Sequence, residues 1–442
     1  MPDHATSADP AVQMQLDRLM ALGPGADVLG LDRITRLLAR VGDPQLRLPP
    51  VIHVAGTNGK GSTCAFLRAA LEAAGKTAHV YTSPHLVRFN ERIRVAGRLI
   101  DNAELAALLA EVLDAGADIG ASFFEVTTAV AFLAFARTPA DACIIEVGLG
   151  GRLDATNVIP APAATAIAQL GIDHQAFLGD TAEAIAREKA GIAKPGVPLV
   201  SMAYSPTVAD AVAAVAEAVG APLFPRGSDW SFTVEGGVLR YSDARGGIST
   251  PLPALAGPHQ PTNLALAIAT LRHQDVLPVP DAAYAAAARD ARWPARMQQL
   301  GDGPLLRLLP AGTELWLDGG HNPAAADAIA DTIERAALGR PVHLVFGMLA
   351  NKDVVGLLAP FAPFTASLTA VPVPGHADHS PAELAEAANR LGIPDTATAP
   401  EVPTALRTLA ARLQSGEPAV VLVLGSLYLA GTVLEGNGEL PD

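Results

Sequence analysis

The stretch from Val51 to Cys64, V-I-H-V-A-G-T-N-G-K-G-S-T-C, constrains this chain more than any other. Val51, Ile52 and Val54 form a short apolar run of the size of a buried strand. Gly56, Gly59 and Gly61 follow, and then a run of good helix formers from Cys64 to Ala74. Strand, glycine-rich turn and helix together make a phosphate cradle. Glycines let backbone N–H groups turn inward onto an anion, and the helix start adds the positive end of its dipole. Lys60 sits where an ammonium group reaches the outer phosphates, and Ser62 or Thr63 offers a hydroxyl to magnesium. The match to G-x-x-x-x-G-K-[ST] is imperfect, because Val54 occupies the first glycine position and Gly61 follows Lys60. As a mere connection, a lysine between two glycines at a helix start is a poor choice.

The chain has 442 residues, too many for one ordinary core, so two or three domains are expected. With 31 basic against 45 acidic residues the net charge is −14, which speaks against nucleic-acid binding through phosphate neutralisation. Two cysteines, Cys64 and Cys143, cannot make a zinc cluster and read as small buried hydrophobes. No run approaches the ~18 apolar residues of a membrane span, and the polar first ten residues do not read as a signal peptide. A cytoplasmic, monomeric protein with no membrane partner is expected, disordered up to about Ala11.

Further along, Thr77 to Tyr81, Ala142 to Val147, Ala163 to Gln169 and Val197 to Met202 read as strands. Asp101, Ser122 and Asp180 open helices, and Ser122-Phe123-Phe124-Glu125 is a capping box. Thr82 to Arg94 reads as a charged connection. Trp230 to Val234 and Val238 to Tyr241 flank Gly236-Gly237, a hairpin signal, and Pro261 to Leu271 reads as a helix. From about Met297 the alternation restarts. Leu315 to Leu317, Val342 to Phe346, Ser367 to Val371 and Val420 to Leu424 are the strands. Pro323 to Leu338, Pro381 to Leu391 and Val402 to Leu413 are the helices. The expected fold is α/β: a mostly parallel sheet in a domain spanning 1–296, and a second open α/β unit spanning 297–442.

Ligands of such sheets sit at the carboxyl ends of strands. Ser83, Glu146 and His174 all follow predicted strands there. A carboxylate ending the apolar run C-I-I-E-V-G is costly unless paired or bound to a metal, whereas on position alone Ser83 reads rather as a turn residue before Pro84 and His174 as a hydrogen-bonded loop histidine. Lys189, in R-E-K-A-G-I, reads by spacing alone as a solvated lysine at a helix end. In the second unit Asp318, at a strand end beside two glycines, is the better candidate, while Asn322 reads as an N-cap before Pro323.

Taken in order, G-T-N-G-K-G-S, Y-T-S-P-H-L, F-F-E, E-V-G-L-G-G-R-L-D-A-T-N, G-I-D-H, E-K-A-G-I, H-Q-x-x-N, W-P-A-R, D-G-G-H-N-P and G-S-L-Y-L resemble the bifunctional dihydrofolate synthase/folylpolyglutamate synthase family of the Mur ligase superfamily. The resemblance spans about Leu29 to Gly431. It implies an N-terminal P-loop ATPase domain that also binds folate, and a smaller Rossmann-like C-terminal glutamate-ligase domain, with the active site between them. It implies that Thr57, Asn58, Gly59, Lys60, Gly61 and Ser62 bind ATP phosphates, and that Asn263, Arg296 and Asp318 contact ATP. Ser83, Glu146 and His174 would hold magnesium. Lys189 would be carbamylated and serve a second magnesium, His321 would sit beside glutamate and nucleotide, and a monovalent cation is a further implied ligand. Phe124, Glu125 and Asp154 would face the pterin. Glu125 also reads as the capping partner of Ser122 and Phe124 as core, whereas Asp154 has no evident structural duty. The implied reaction is ATP-dependent addition of L-glutamate to dihydropteroate and reduced folates through an acyl phosphate. A monofunctional folylpolyglutamate synthase, a cell-wall Mur-type ligase and a nucleotide-gated binding module stand as alternatives. The family's usual W-P-G-R is here Trp293-Pro294-Ala295-Arg296, and Ala324 stands where the family usually has a larger residue.

Overall fold

A computed structural model describes residues 5–22, 29–413 and 418–442. The chain divides into two compact units. One is Met1–Ala254 with Gln260–Arg292 and the terminal Asp442; the other is Leu255–His259 with Trp293–Pro441.

The first unit is built on eight strands: β1 (Val51–Ala55), β2 (Ala78–Tyr81), β3 (Ile93–Val95), β4 (Arg98–Leu99), β5 (Ala142–Glu146), β6 (Ala164–Ile167), β7 (Leu199–Ser201) and β8 (Leu223–Pro225). Their order is β4-β3-β2-β5-β1-β6-β7-β8. All neighbours pair in parallel except β2 with β3 and β3 with β4. Every residue of β1, β2, β5 and β6 is buried, which is why these strands read as mostly apolar runs rather than alternating ones, with His53, His79 and Thr165 as buried polar exceptions. The central strand β1 aligns Val54 with Glu146 of β5 and Ala55 with Ile167 of β6. Three chain turns therefore leave the sheet side by side at its carboxyl edge. An antiparallel sheet of β9 (Trp230–Glu235), β10 (Val238–Asp243) and β11 (Gly246–Pro251) completes the unit.

The second unit has six strands: β12 (Gln298–Gln299), β13 (Glu314–Leu317), β14 (Val342–Phe346), β15 (Thr365–Ala370), β16 (Thr396–Thr398) and β17 (Val420–Leu424). Their order is β12-β13-β17-β14-β15-β16, parallel except at β12. The α/β class with two sheet-centred units agrees with the expectation.

Several expectations change. The helix after the phosphate loop begins at Lys60, not Cys64, because Gly59 adopts φ 84° and ends the turn there. The chain is ordered well before Ala11: a helix runs from Pro10 to Leu22, the Asp9 carboxylate accepts from Ala11 N and Val12 N, and Ala5 is buried. The first four residues of that predicted tail lie outside the described residues. The presumed connection 82–94 contains a 3-10 turn at Phe89–Arg92 and enters the β3–β4 hairpin. The hairpin at Gly236-Gly237 gains a third strand, β11. Helices at Pro206–Val219, Asp281–Asp290 and Leu427–Asn437 were not read from the sequence. The first two are alanine-rich, and alanine favours helix while blurring the contrast between faces that periodicity needs.

Candidate active site

The phosphate loop is braced by its neighbours in the first unit. Thr57 N and Asn58 N donate to the Gln169 carbonyl at 2.8 and 3.1 Å, and Thr57 Oγ1 donates to Gly171 O at 3.0 Å. Position 59 favours glycine: besides the positive φ, a Cβ there would lie 2.5 Å from Asn263 Oδ1 and push that side chain away. Asn263 Nδ2 donates to Gln260 Oε1 at 3.1 Å, and Gln260 Nε2 donates to Ser62 Oγ at 3.3 Å. All three side chains are buried. The first helical amides, from Lys60, Gly61 and Ser62, precede the first intrahelical bond, Thr63 N to Gly59 O. Gln260 was not singled out in the sequence, although H-Q-x-x-N contains it; its reach to Ser62 depends on a helix about two hundred residues downstream.

Two lysines converge on one carbonyl. Lys60 Nζ donates to Gly56 O at 3.1 Å and Thr57 O at 3.3 Å, and Lys189 Nζ donates to the same Gly56 O at 2.9 Å. Lys189 is 4% exposed, so the solvated-lysine reading is corrected. Burial, helped by the nearby Lys60 charge, pushes its ammonium down to about 7, against the pull of Asp173 and Asp154. Its helix, Ala182–Ala190, is capped by Thr181 and brings the side chain to the phosphate loop.

Of the residues aligned at the strand ends, Glu146 closes β5 and is buried, while Ser83 lies two residues beyond β2 and is half-buried. The Glu146 charge, after burial itself, raises the Cys64 thiol, while Lys60 lowers it; both charges therefore face the start of the Lys60–Ala73 helix. His174 follows β6 at φ 52°; its side chain is 42% exposed and 3.9 Å from Asp173. No group of three or more His, Cys, Asp or Glu side chains arranged for a metal occurs among the described residues. A buried carboxylate and a hydroxyl beside a phosphate cradle nonetheless fit a hard cation whose shell is completed by phosphate and water.

On the other side of β5, Phe124 is half-buried, 5.9 Å from the Tyr81 ring, and lies on Gly148, where a Cβ would come 2.3 Å from the ring. Glu125 is buried and completes the capping box: Oε2 accepts from Ser122 N and from Arg33 Nε at 2.9 Å. Asp154 does have structural duties, contrary to the sequence reading. It caps the 3-10 turn Ala155–Val158; Oδ1 accepts from Thr156 N and Oγ1, and Oδ2 accepts from Leu149 N. Burial raises its pKa and these bonds oppose the rise.

In the second unit, Asp318 is buried at the end of β13, with Oδ2 accepting from Met297 N and Oδ1 from Gly320 N. Burial raises its pKa, and Arg296, which packs against Gly319, opposes that. His321 Nδ1 is 3.0 Å from Gly319 O, and Asn322 caps the Pro323–Ala337 helix as expected. Ala295 and Met297, on either side of Arg296, have φ 53° and 44°.

The Mur ligase glutamate ligase domain family matches residues 296–427. A dihydrofolate synthase/folylpolyglutamate synthase of Escherichia coli (strain K12) is 38% identical over 332 residues, 75% of this chain and 74% of that protein. The structure of E. coli FolC in complex with DHPP and ADP superposes with a TM-score of 0.85 at 34% identity, covering 97% of each chain. A bifunctional folylpolyglutamate synthase/dihydrofolate synthase with Mn, AMPPNP and L-glutamate bound gives a TM-score of 0.83 at 33% identity, covering 98% of this chain and 99% of that one. The chain thus belongs to the dihydrofolate synthase/folylpolyglutamate synthase family of Mur-type, ATP-dependent ligases.

Proposed function

We propose that this protein joins L-glutamate to dihydropteroate and to reduced folates at the expense of ATP. The observation that carries the reading is the convergence of Lys60 and Lys189 on Gly56 at the mouth of a strand–glycine–helix cradle. A carboxylate resists attack by an amine because its leaving group would be oxide. Transfer of the γ-phosphoryl group to the acceptor carboxylate gives an acyl phosphate, whose leaving group is phosphate. The glutamate amine then attacks the acyl carbon, and an amide, ADP and phosphate result.

Lys60, held near the loop by two weak carbonyl contacts, is released toward the phosphates and offsets charge on the transferring group. The amides of Lys60, Gly61 and Ser62, with Thr57 and Asn58, cradle the phosphate oxygens. Asn263, Arg296 and Asp318 complete nucleotide binding, and His321 serves glutamate and nucleotide. Ser83, Glu146 and His174 would hold magnesium, which neutralises phosphate charge when bound. Lys189 is suited to carbamylation because only a neutral amine adds CO2, releasing one proton as the N–C bond forms. With a pKa of about 7 its neutral fraction near pH 7 exceeds that of an ordinary lysine by roughly a thousandfold. The resulting carboxylate would serve a second magnesium. Phe124 offers its ring face to the pterin, and Glu125 and Asp154 shape the wall around it. A monomeric, cytoplasmic enzyme, with a monovalent cation as a further ligand, belongs to the same reading.

The test is product mass spectrometry with ATP, glutamate and a panel of dihydropteroate, tetrahydrofolate and a UDP-linked muramyl acceptor. Glutamate addition to both pterin acceptors, with ADP release that requires an acceptor, is expected. Addition to tetrahydrofolate alone reduces the protein to a folylpolyglutamate synthase, and acceptor-independent ADP release refutes ligation.

A further inference from the structure

The interior of the first unit holds two polar side chains, His53 and Thr156, that none of the steps above uses, and they lead to Asp154. His53 lies mid-strand in β1 and is fully buried. Its Nε2 is 2.8 Å from Thr156 Oγ1. The Thr156 hydroxyl donates its one proton to Asp154 Oδ1, so it meets His53 as an acceptor. The imidazole must therefore be the Nε2–H tautomer. Asp154 carries the chain onward, with Oδ2 accepting from Leu149 N at 2.9 Å. Gly148, the residue before, is the floor under the Phe124 ring. One hydrogen-bonded line thus joins the strand that feeds the phosphate loop to the turn beneath Phe124.

This line is not a stabilising device at its first member. His53 Nδ1 is buried and makes no hydrogen bond among the described residues. A bare buried acceptor costs stability, whereas a leucine between Ile52 and Val54 would carry no such cost. The same end of the Asp154 loop is fastened elsewhere: Arg152 N donates to Glu188 O, and Asn157 Nδ2 donates to Arg152 O and Gly191 O. Those bonds hold the loop to the Lys189 helix. Backbone bonds from Val147 N to Val54 O and from Ala163 N to Val51 O fix where the segment leaves and rejoins β1, and the His53–Thr156–Asp154 line adds a side-chain tie from mid-β1 to the loop between them.

We propose that His53 is a positioning residue for the acceptor: through Thr156 and Asp154 it sets the Gly148–Leu149 turn, and with it the Phe124 ring, relative to the phosphate loop. The inference rests on Phe124 as the face that receives the acceptor's heterocycle.

The experiment compares His53→Leu, Thr156→Val, the double variant, His53→Gln and Phe124→Ala, reading KM for dihydropteroate and for ATP together with Tm. His53→Leu and Thr156→Val should each raise the dihydropteroate KM about tenfold, one hydrogen bond's worth of alignment, and leave the ATP KM unchanged. The double variant should be no worse than either single one, because both cut the same line. His53→Gln, whose amide N–H can reach Thr156, should recover most of the loss, and His53→Leu should melt no lower than the parent. A parental KM in His53→Leu, additive losses in the double variant, or a failure of His53→Gln to recover would overturn the proposal while Phe124→Ala still loses acceptor binding. An unchanged KM in Phe124→Ala would instead remove the acceptor assignment, and this proposal with it.

Discussion

The carboxyl edges of the two parallel sheets are built differently. In the first unit, Lys189, Glu146 and Asp154 are all buried ionisable groups, and Lys60 leans onto the loop carbonyls beside them. In the second, the buried carboxylate among the described residues, Asp318, is spent on two backbone amides, Met297 N and Gly320 N. The chain there is bent through Ala295 and Met297, both in the left-handed region. The first edge sets protonation states, as a centre for moving phosphoryl charge requires. The second sets a backbone shape.

That contrast breaks first at Lys60. Lys60→Ala should leave Tm within a degree or two and lower acceptor-dependent ADP release by about a thousandfold, the scale of a lost charge-stabilising contact in a transition state. Near-normal turnover by the folded variant would place the charge chemistry elsewhere. Glu146→Gln should come next, with roughly a hundredfold loss of metal-dependent turnover. A neutral amide in place of a buried carboxylate should not destabilise the fold; a large fall in Tm with retained turnover would make Glu146 structural.

Acid probes the buried histidines, which both units hold. Burial pushes His53 down to about 3 and lowers His79 there, and pushes His259 to about 4 and lowers His343 in the second unit. In each case the folded pKa lies below the unfolded one. The unfolded chain then binds more protons below about pH 6.5, so stability is lost as pH falls from there toward the folded values. His53 alone should contribute about 2 kcal/mol of loss at pH 5 relative to pH 8. Urea unfolding at both pH values checks this, and His53→Leu should flatten the slope.

The smallest effect sharpens the second half of the contrast. Ala295 is fully buried at φ 53°, where the resembled family usually carries glycine, and Leu338 ends its helix at φ 52° with 86% exposure. Ala295→Gly and Leu338→Asn should each stabilise by about 0.5–1 kcal/mol, measured by calorimetry. No gain at Ala295 would mean that its conformation carries no strain.

Local physics made much of this readable. Ser122 and Glu125 sit at the spacing of a capping box, and the helix Phe123–Arg137 forms there with both halves bonded. The buried parallel strands β1 and β5 announced themselves as short, mostly apolar runs, and Glu146 was conspicuous as the charge that ends one. The helix start at Lys60 was missed by one turn because the conformation of Gly59, not its identity, decides where the turn stops.

What the sequence by itself determined is what depends on near neighbours: the strand–glycine–helix cradle, the caps, the alternation of strand and helix, and the ordered motifs that mark the family. Lys189 shows the limit. Its spacing described a solvated helix end; its partner is a carbonyl 133 residues away, and its lowered pKa comes from burial that only packing creates. Asp154 looked unemployed in a glycine-rich loop until the fold gave it Thr156 and Leu149, and only the fold brings His53 to Thr156. Desolvation and long-range hydrogen bonding depend on which surfaces meet, and those surfaces meet only in the tertiary structure.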